Sequence, residues 1–584
     1  MSKHDHIPLS ATDIPSFDRD LFGRDEPVSA VGVGAIGGKA SGLAQANRML
    51  QAHFPEREYD GIRISVPALT VIATNVFDAF MQRNNLWEVV AEELPDRRIA
   101  NAFSRASFPS EMVGDLRGLI EKVSTPLAVR SSSLLEDATF EPFAGVYATK
   151  MIPNNDPGVD ARFRKLIDAI KFVYASTFFQ DARGYMAATG RKPTEEKMAV
   201  IIQEVVGLRH HERYYPTISG VARSYNFYPT GNAGPEDGVV SLALGLGKTI
   251  VDGGRSWTYS PAYPRANPPL TINDMLKQTQ TVFWAVNMGK APAFDPMEET
   301  EYLVQPGLAE AEFDGTLADV ASTYQPENDR IVPGIGRPGP RIVDFAPTIR
   351  MGELPFNDLF RELLTHSEEA LETEVEIEFA ITIDPLRRQQ PRVGFLQVRP
   401  IVVSREQVTL DDAALSGEHV LVASERVLGN GVDSTLTDII YVRPDTFAKE
   451  KTRQVAVEIE QLNRALREDN RHCILFFFGR LGSSDPWLGI PVDWGAISQA
   501  RVMVEATLPD MDVELSQGSH FFQNMTSLQI SYFNVHHAGA YRINWRLLEQ
   551  RPAVAETAHV RHVRLERPCT VRVDGRHSRG VIEL

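Results

Sequence analysis

Two strand-like segments, residues 374–383 and 393–403, constrain this chain most. Asp384-Pro385 starts a turn between them. In Val375-Glu376-Ile377-Glu378-Phe379, successive side chains point to opposite faces, so Glu376 and Glu378 share one face. By the same rule Gln397 and Arg399 share a face in Phe395-Leu396-Gln397-Val398-Arg399. Paired as a hairpin, the segments set two carboxylates, an amide oxygen and a guanidinium side by side. Those oxygens suit a hard cation such as Mg²⁺, and an arginine beside them suits a phosphate. The same four residues would also serve a solvated sheet face with cross-strand ion pairs.

The rest of the chain is long enough to bury such a site. It has 584 residues, 43% hydrophobic and 23% charged, which is ordinary for a protein of three or four globular domains. Its two cysteines, Cys473 and Cys569, exclude a disulfide scaffold and an all-cysteine zinc site. The formal net charge of −17 argues against nucleic acid as a partner, while leaving room for a local cationic pocket. No apolar run approaches a bilayer span and the polar start lacks a signal-peptide core, so no membrane association and a cytoplasmic location are expected.

Residues 1–25 are polar and are expected to be loosely held. A Gly-rich loop at 32–38 leads into a helical pattern at 39–50, with no convincing strand before it. Residues 123–130 read as a strand entering a Ser-rich turn, 162–188 as helical and 323–345 as a Pro/Gly-rich loop. KMAVIIQEVV at 197–206 is apolar throughout its centre, as in a strand buried on both faces. Beyond residue 404 come an amphipathic helix carrying Val455, Ile459, Leu462 and Leu466, strands at 474–478, 501–505 and 528–533, and a terminal hairpin about Asp574-Gly575.

Three loops carry possible chemistry. Gly32, Gly34 and Gly37 spell GxGxxG, but this match alone is weak support for a dinucleotide oxidoreductase. Gly37-Gly38-Lys39 before a helix offers backbone N–H groups, a positive helix end and an ammonium, all suited to phosphate, or else a flexible helix entry. Arg130 leaves a buried strand ahead of Ser133-Leu-Leu-Glu136, a capping-box pattern, and could fork onto phosphate oxygens.

In order, GGK (37–39), VPALTVIAT (66–74), AVRSSSLLED (128–137), FAGVYAT (143–149), IIQEVV (201–206), SGVARS (219–224), LGLGKTIVDGG (244–254), EIEF (376–379) and LQVRPI (396–401) resemble the nucleotide-binding domain of phosphoenolpyruvate synthase and pyruvate phosphate dikinase. The resemblance covers about residues 30–403. It implies an α/β and α+β chain: an ATP-grasp-like, two-lobed nucleotide-binding domain, with lobes at 26–235 and 236–403, followed by a smaller α/β domain of uncertain fold at 404–584. ATP and Mg²⁺ are the implied ligands. Lys39 and Arg130 would hold phosphates, and Glu376 and Glu378 the ribose edge and Mg²⁺. Gln397 would support the metal, Arg399 would meet the transferring phosphate, and Gln203 and Glu204 would flank the adenine. The family splits ATP to AMP and phosphate through a phosphohistidine.

The chain departs from the family pattern at several places. The family commonly reads GLGE where this chain has Gly245-Leu246-Gly247-Lys248. Residues 404–584 are too few for a TIM barrel, which needs about 250, so phosphoenolpyruvate synthesis by this chain alone is not expected. The family's phosphohistidine word is absent. His520, in Gly518-Ser519-His520-Phe521, is the faint substitute, as a catalytic acceptor or as a hydrogen-bonded turn residue. Gly479–Asp485 is a second Gly/Ser loop, and the arginines of 559–584 read as a solvated face. The expectation is an ATP-dependent phosphotransferase passing phosphate to a histidine, a partner protein or a small acceptor. The alternative is a non-catalytic ATP-binding regulatory or scaffold module.

Overall fold

In the computed structural model, residues 9–18, 27–92, 94–133, 136, 145–188, 191–227, 229, 231–266, 270–352, 354–401, 403, 406, 408–482, 489–492, 494–509, 511, 525, 528 and 530–584 are described. It is a mixed α/β protein built on several sheets. His520 and residues 483–485 of the second Gly/Ser loop lie outside the described residues.

The first sheet has the order Val28–Val31, Leu69–Ile72, Met198–Glu204, Leu127–Ser133, Thr149–Ile152. Its central strand is buried on both faces, as its apolar run requires. Ala199 and Ile201 join the core beneath helix Gly37–His53, while Met198, Val200 and Ile202 face the core beneath helix Val159–Ser176. Two expectations are corrected. A fully buried strand, Val28–Val31, does precede the Gly-rich loop; its four residues are too short to show a period. The Ser-rich stretch continues the strand Leu127–Ser133 rather than turning, because its hydroxyls find partners: Ser131 and Ser132 donate to Glu136 and to the Ile36 carbonyl.

The second sheet runs Trp257–Tyr259, Val239–Ala243, Ile218–Arg223, Val375–Thr382, Arg392–Pro400, Ile62–Ser65, Glu58–Tyr59. Its centre is the expected hairpin. Glu376 lies opposite Arg399 and Glu378 opposite Gln397, with a bulge after Glu378. Val375, Ile377 and Phe379 enter the core, where full burial contributes about 1.5–3 kcal/mol per side chain. The polar face is buried too, since Glu376, Gln397 and Arg399 are at most 2% exposed; a solvated face is thereby excluded. Only residues 66–68 separate Ile62–Ser65 from Leu69–Ile72, so the chain steps directly from one sheet to the other.

The stretch 323–345 is not a loop. Ala321–Gln325, Arg330–Pro333 and Arg341–Val343 form a small antiparallel sheet. Asp329 at φ +45° makes the first tight turn, so the turn residues masked the short strands between them. The expected helix at 162–188 is two, Val159–Ser176 and Gln180–Ala188. The described part of the polar start is pinned: Leu9 N–H donates to Ser41 Oγ, and Ala11 N–H to the Gly34 carbonyl.

Past residue 420, four parallel strands stand in chain order: Asp438–Val442, Cys473–Phe478, Ala500–Ala506, Ser531–Val535. The last begins three residues later than expected. Helix Thr452–Glu468 covers one face with Val455, Ile459, Leu462 and Leu466. An antiparallel sheet containing the terminal hairpin Thr570–Asp574/Arg579–Glu583 covers the other. Among the described residues, no helix is long and apolar enough to cross a membrane.

Asp438 anchors this region and is 1% exposed. It accepts from Arg471 Nε and Arg564 Nε, each at 2.8 Å, and lies 2.8 Å from His562 Nε2. Arg564 is exposed, as expected, and its Nε nonetheless reaches this buried carboxylate. Burial alone would raise the Asp438 carboxyl, but the hydrogen bonds from His562, Arg564 and Arg471 outweigh it and hold the group well below the usual carboxylate range. A depressed folded value stabilises the protein above the ordinary carboxyl pKa of about 4, and that stability is lost as pH falls through the folded value. Asp438→Asn is expected to cost about 2 kcal/mol at neutral pH. In urea melts, its deficit relative to wild type should shrink as pH falls below about 4.

Candidate functional site

A cleft of about 250 Å³ lies between the two large sheets. The first sheet contributes Ala128, Arg130, Thr149, Met151 and Gln203; the second contributes Ser219, Glu378, Ala380, Leu396 and Gln397. Glu204, Val205 and Val206 close one side, and Lys39, Leu246, Lys248 and Glu299 complete the lining. Of the residues singled out from sequence, Lys39, Arg130, Gln203, Glu204, Glu378 and Gln397 line this cleft. Glu376 and Arg399 do not.

Local chemistry sets each position. Lys39 sits in the first turn of helix Gly37–His53, with Nζ 2.6 Å from Glu136 Oε1 and 3.3 Å from Ser131 Oγ. The same glutamate forms the capping box foreseen in the sequence: Ser133 N–H donates to Glu136 Oε2, and Glu136 N–H to Ser133 Oγ, each at 3.0 Å. Ala40 N–H donates to Ser132 Oγ, so the helix start is clamped on the strand. That approach needs glycine at 37, where φ is +78° and a Cβ would stand 1.9 Å from the Ser132 carbonyl oxygen.

Arg130 bridges the two sheets. Its guanidinium donates to the Leu396 carbonyl at 2.9 Å, Gln397 Oε1 at 2.8 Å and Gln203 Oε1 at 3.3 Å, and lies 3.7 Å from Glu378 Oε2. Gln203 Nε2 is buried without a hydrogen-bond partner. Glu204 accepts from Thr125 Oγ1 at 3.0 Å. The apolar lining, including Ala128, Met151, Val205 and Leu303, is continuous with a small core about Tyr214 and Met288.

Behind the cleft, Glu376 is held between two arginines. Arg223 Nε is 2.5 Å from Oε2 and Arg399 Nε is 2.7 Å from Oε1; Arg399 NH2 bonds Oε1 and lies 3.7 Å from Glu378. Register explains the trio, because Arg223 and Arg399 are the residues opposite Glu376 on its two neighbouring strands.

Sequence reasoning missed several members. Arg223 stood inside SGVARS, and its parity on the strand was the available signal. Lys248 stood out as a departure, but its partners did not. Its Nζ is 2.9 Å from Asp252 Oδ2, and Glu299 faces it from a stretch without any motif. Burial would lower the Lys248 ammonium, yet Glu299 and Asp252 hold it above its ordinary value. Burial also pushes the Glu299 carboxyl up, against the pull of Lys248. Tyr147, also in the lining, is raised by burial and by Glu196, to which its hydroxyl donates at 3.1 Å.

The donor set fits a hard cation: a carboxylate and an amide oxygen stand in register on adjacent strands, beside cations able to meet phosphate. Comparison with curated proteins finds no match. The family model for the pyruvate phosphate dikinase AMP/ATP-binding domain matches residues 33–416, about two thirds of the chain and all of the cleft. The chain belongs to the family of the pyruvate phosphate dikinase AMP/ATP-binding domain.

Proposed function

We propose that the protein is an ATP-dependent phosphotransferase with an ATP-grasp-like nucleotide-binding unit, closing its two sheets on Mg-ATP. The observation that carries this reading is the single cleft lined by Lys39, Arg130, Gln203, Glu204, Glu378 and Gln397. The apolar slot takes the purine, and Gln203 Nε2, buried and unpaired, donates to a ring acceptor. Glu378 and Gln397 would hold Mg²⁺, which supplies charge neutralisation on the phosphates. Arg130 turns from Gln397 and Glu378 onto phosphate oxygens, and Lys39 joins it from the helix end. Phosphoryl transfer is mainly positioning and charge stabilisation, so this set meets its needs. Arg399, held by Glu376, orients Glu378 from behind. The phosphate then passes to a histidine, with His520 the candidate, or to a partner protein or small acceptor.

One observation favours a non-catalytic ATP-binding module instead: Lys39 is already paired with Glu136, and Arg399 with Glu376. ³¹P NMR of the full chain with Mg-ATP separates the readings. AMP with orthophosphate is the expected result. ADP would mean a simpler kinase or ATPase, and unchanged ATP with line broadening would favour the module.

A further inference from the structure

On the surface away from the cleft, His53, His366 and Glu369 form a cluster with no part in the nucleotide reading. His53 ends helix Gly37–His53, and His366 and Glu369 stand three residues apart on helix Phe356–Leu371. The two imidazoles stack with centroids 3.7 Å apart, and His366 Nδ1 lies 3.0 Å from Glu369 Oε2. One ligand atom from each residue falls within 4.8 Å of the other two. We propose that these three residues bind one divalent transition-metal ion, of the zinc class, stapling the two helices together.

The chemistry favours an imidazole-preferring metal over Mg²⁺ or Ca²⁺, because two of the three donors are nitrogens. Tetrahedral zinc, with bonds of about 2.0–2.1 Å to nitrogen, places its ligands about 3.4 Å apart. His53 and Glu369 are exposed and His366 half-buried, so side-chain rotation alone can close the remaining gap. Helix position adds to this, since a cation at the C-terminal end of Gly37–His53 meets the negative end of its dipole. The scaffold beneath is anchored: Tyr59 Oη donates to Glu362 Oε1 at 2.9 Å, one turn before His366, and Phe360 packs on Phe379 with centroids 4.7 Å apart. Three protein ligands leave a fourth position for water. The staple ties the far end of the helix whose first turn carries Lys39 to the helix backing the Glu378 strand.

The test uses the full chain, stripped with chelator and kept free of nucleotide. Co²⁺ and then Zn²⁺ are titrated into wild type, His53→Ala, His366→Ala and Glu369→Gln. The expected result is one equivalent of Co²⁺ with a tetrahedral visible band, displaced by Zn²⁺. Each histidine variant should bind at least ~10-fold more weakly at that equivalent. Zn²⁺ should raise the melting temperature of wild type but not of the histidine variants. Matching far-UV circular dichroism shows that the variants are folded. The same stoichiometry and affinity in wild type and His53→Ala/His366→Ala would overturn the proposal, as would no tight equivalent in wild type. Saturating Mg-ATP should leave the Co²⁺ band unchanged; its loss would place the metal in the cleft and also overturn the proposal.

Discussion

Arg130→Ala is expected to lower ATP turnover at least ~100-fold, the usual cost of deleting a donor that stabilises charge in the transition state. Arg130 touches both sheets at the cleft, reaching Gln203 on the first and Leu396 and Gln397 on the second. On the proposed reading, its removal takes away a phosphate-side cation and the bridge to Gln397 beside Glu378. Folding should survive, because Arg130 and Glu378 are only partly buried and the groups it leaves line the cleft. The check is product release at saturating and at limiting Mg-ATP, with the melting temperature as control. A fall in both kcat and kcat/KM places the arginine on the transferring phosphate; a rise in KM alone makes it a binding residue. Unchanged turnover would remove it from phosphate handling.

The second large effect concerns stability. Glu376→Ala strips the shared carboxylate from Arg223 and Arg399, and Arg399 is 2% exposed. Removing the principal carboxylate from so buried a charge costs about 3–5 kcal/mol. Arg399→Ala should cost less, because Glu376 keeps Arg223. Urea midpoints of the two variants give the order directly, and an equal or larger loss in Arg399→Ala would contradict the shared-carboxylate account. Arg399→Ala is also expected to lower turnover when assayed well below its melting temperature, through the position of Glu378.

Much of this was legible in the residues themselves. Alternation in Val375–Phe379 determined that Glu376 and Glu378 share a face, and the same period put Gln397 and Arg399 on one face of theirs. The continuous apolar run of Met198–Glu204 determined a strand covered on both sides. Spacing also determined the Ser133–Glu136 capping box, a local contact. Pairings between distant segments were decided only by the tertiary structure. Alternation placed Glu376 and Glu378 on equal terms. The neighbouring strand, supplying Arg223, put one carboxylate behind the cleft and left the other lining it. Likewise Lys39 carries no sequence mark of Glu136, which lies 97 residues away. A period fixes which way a side chain points along its own strand or helix; only packing fixes what stands opposite, and at this site the opposite charge divides the groups held in the core from those facing the cleft.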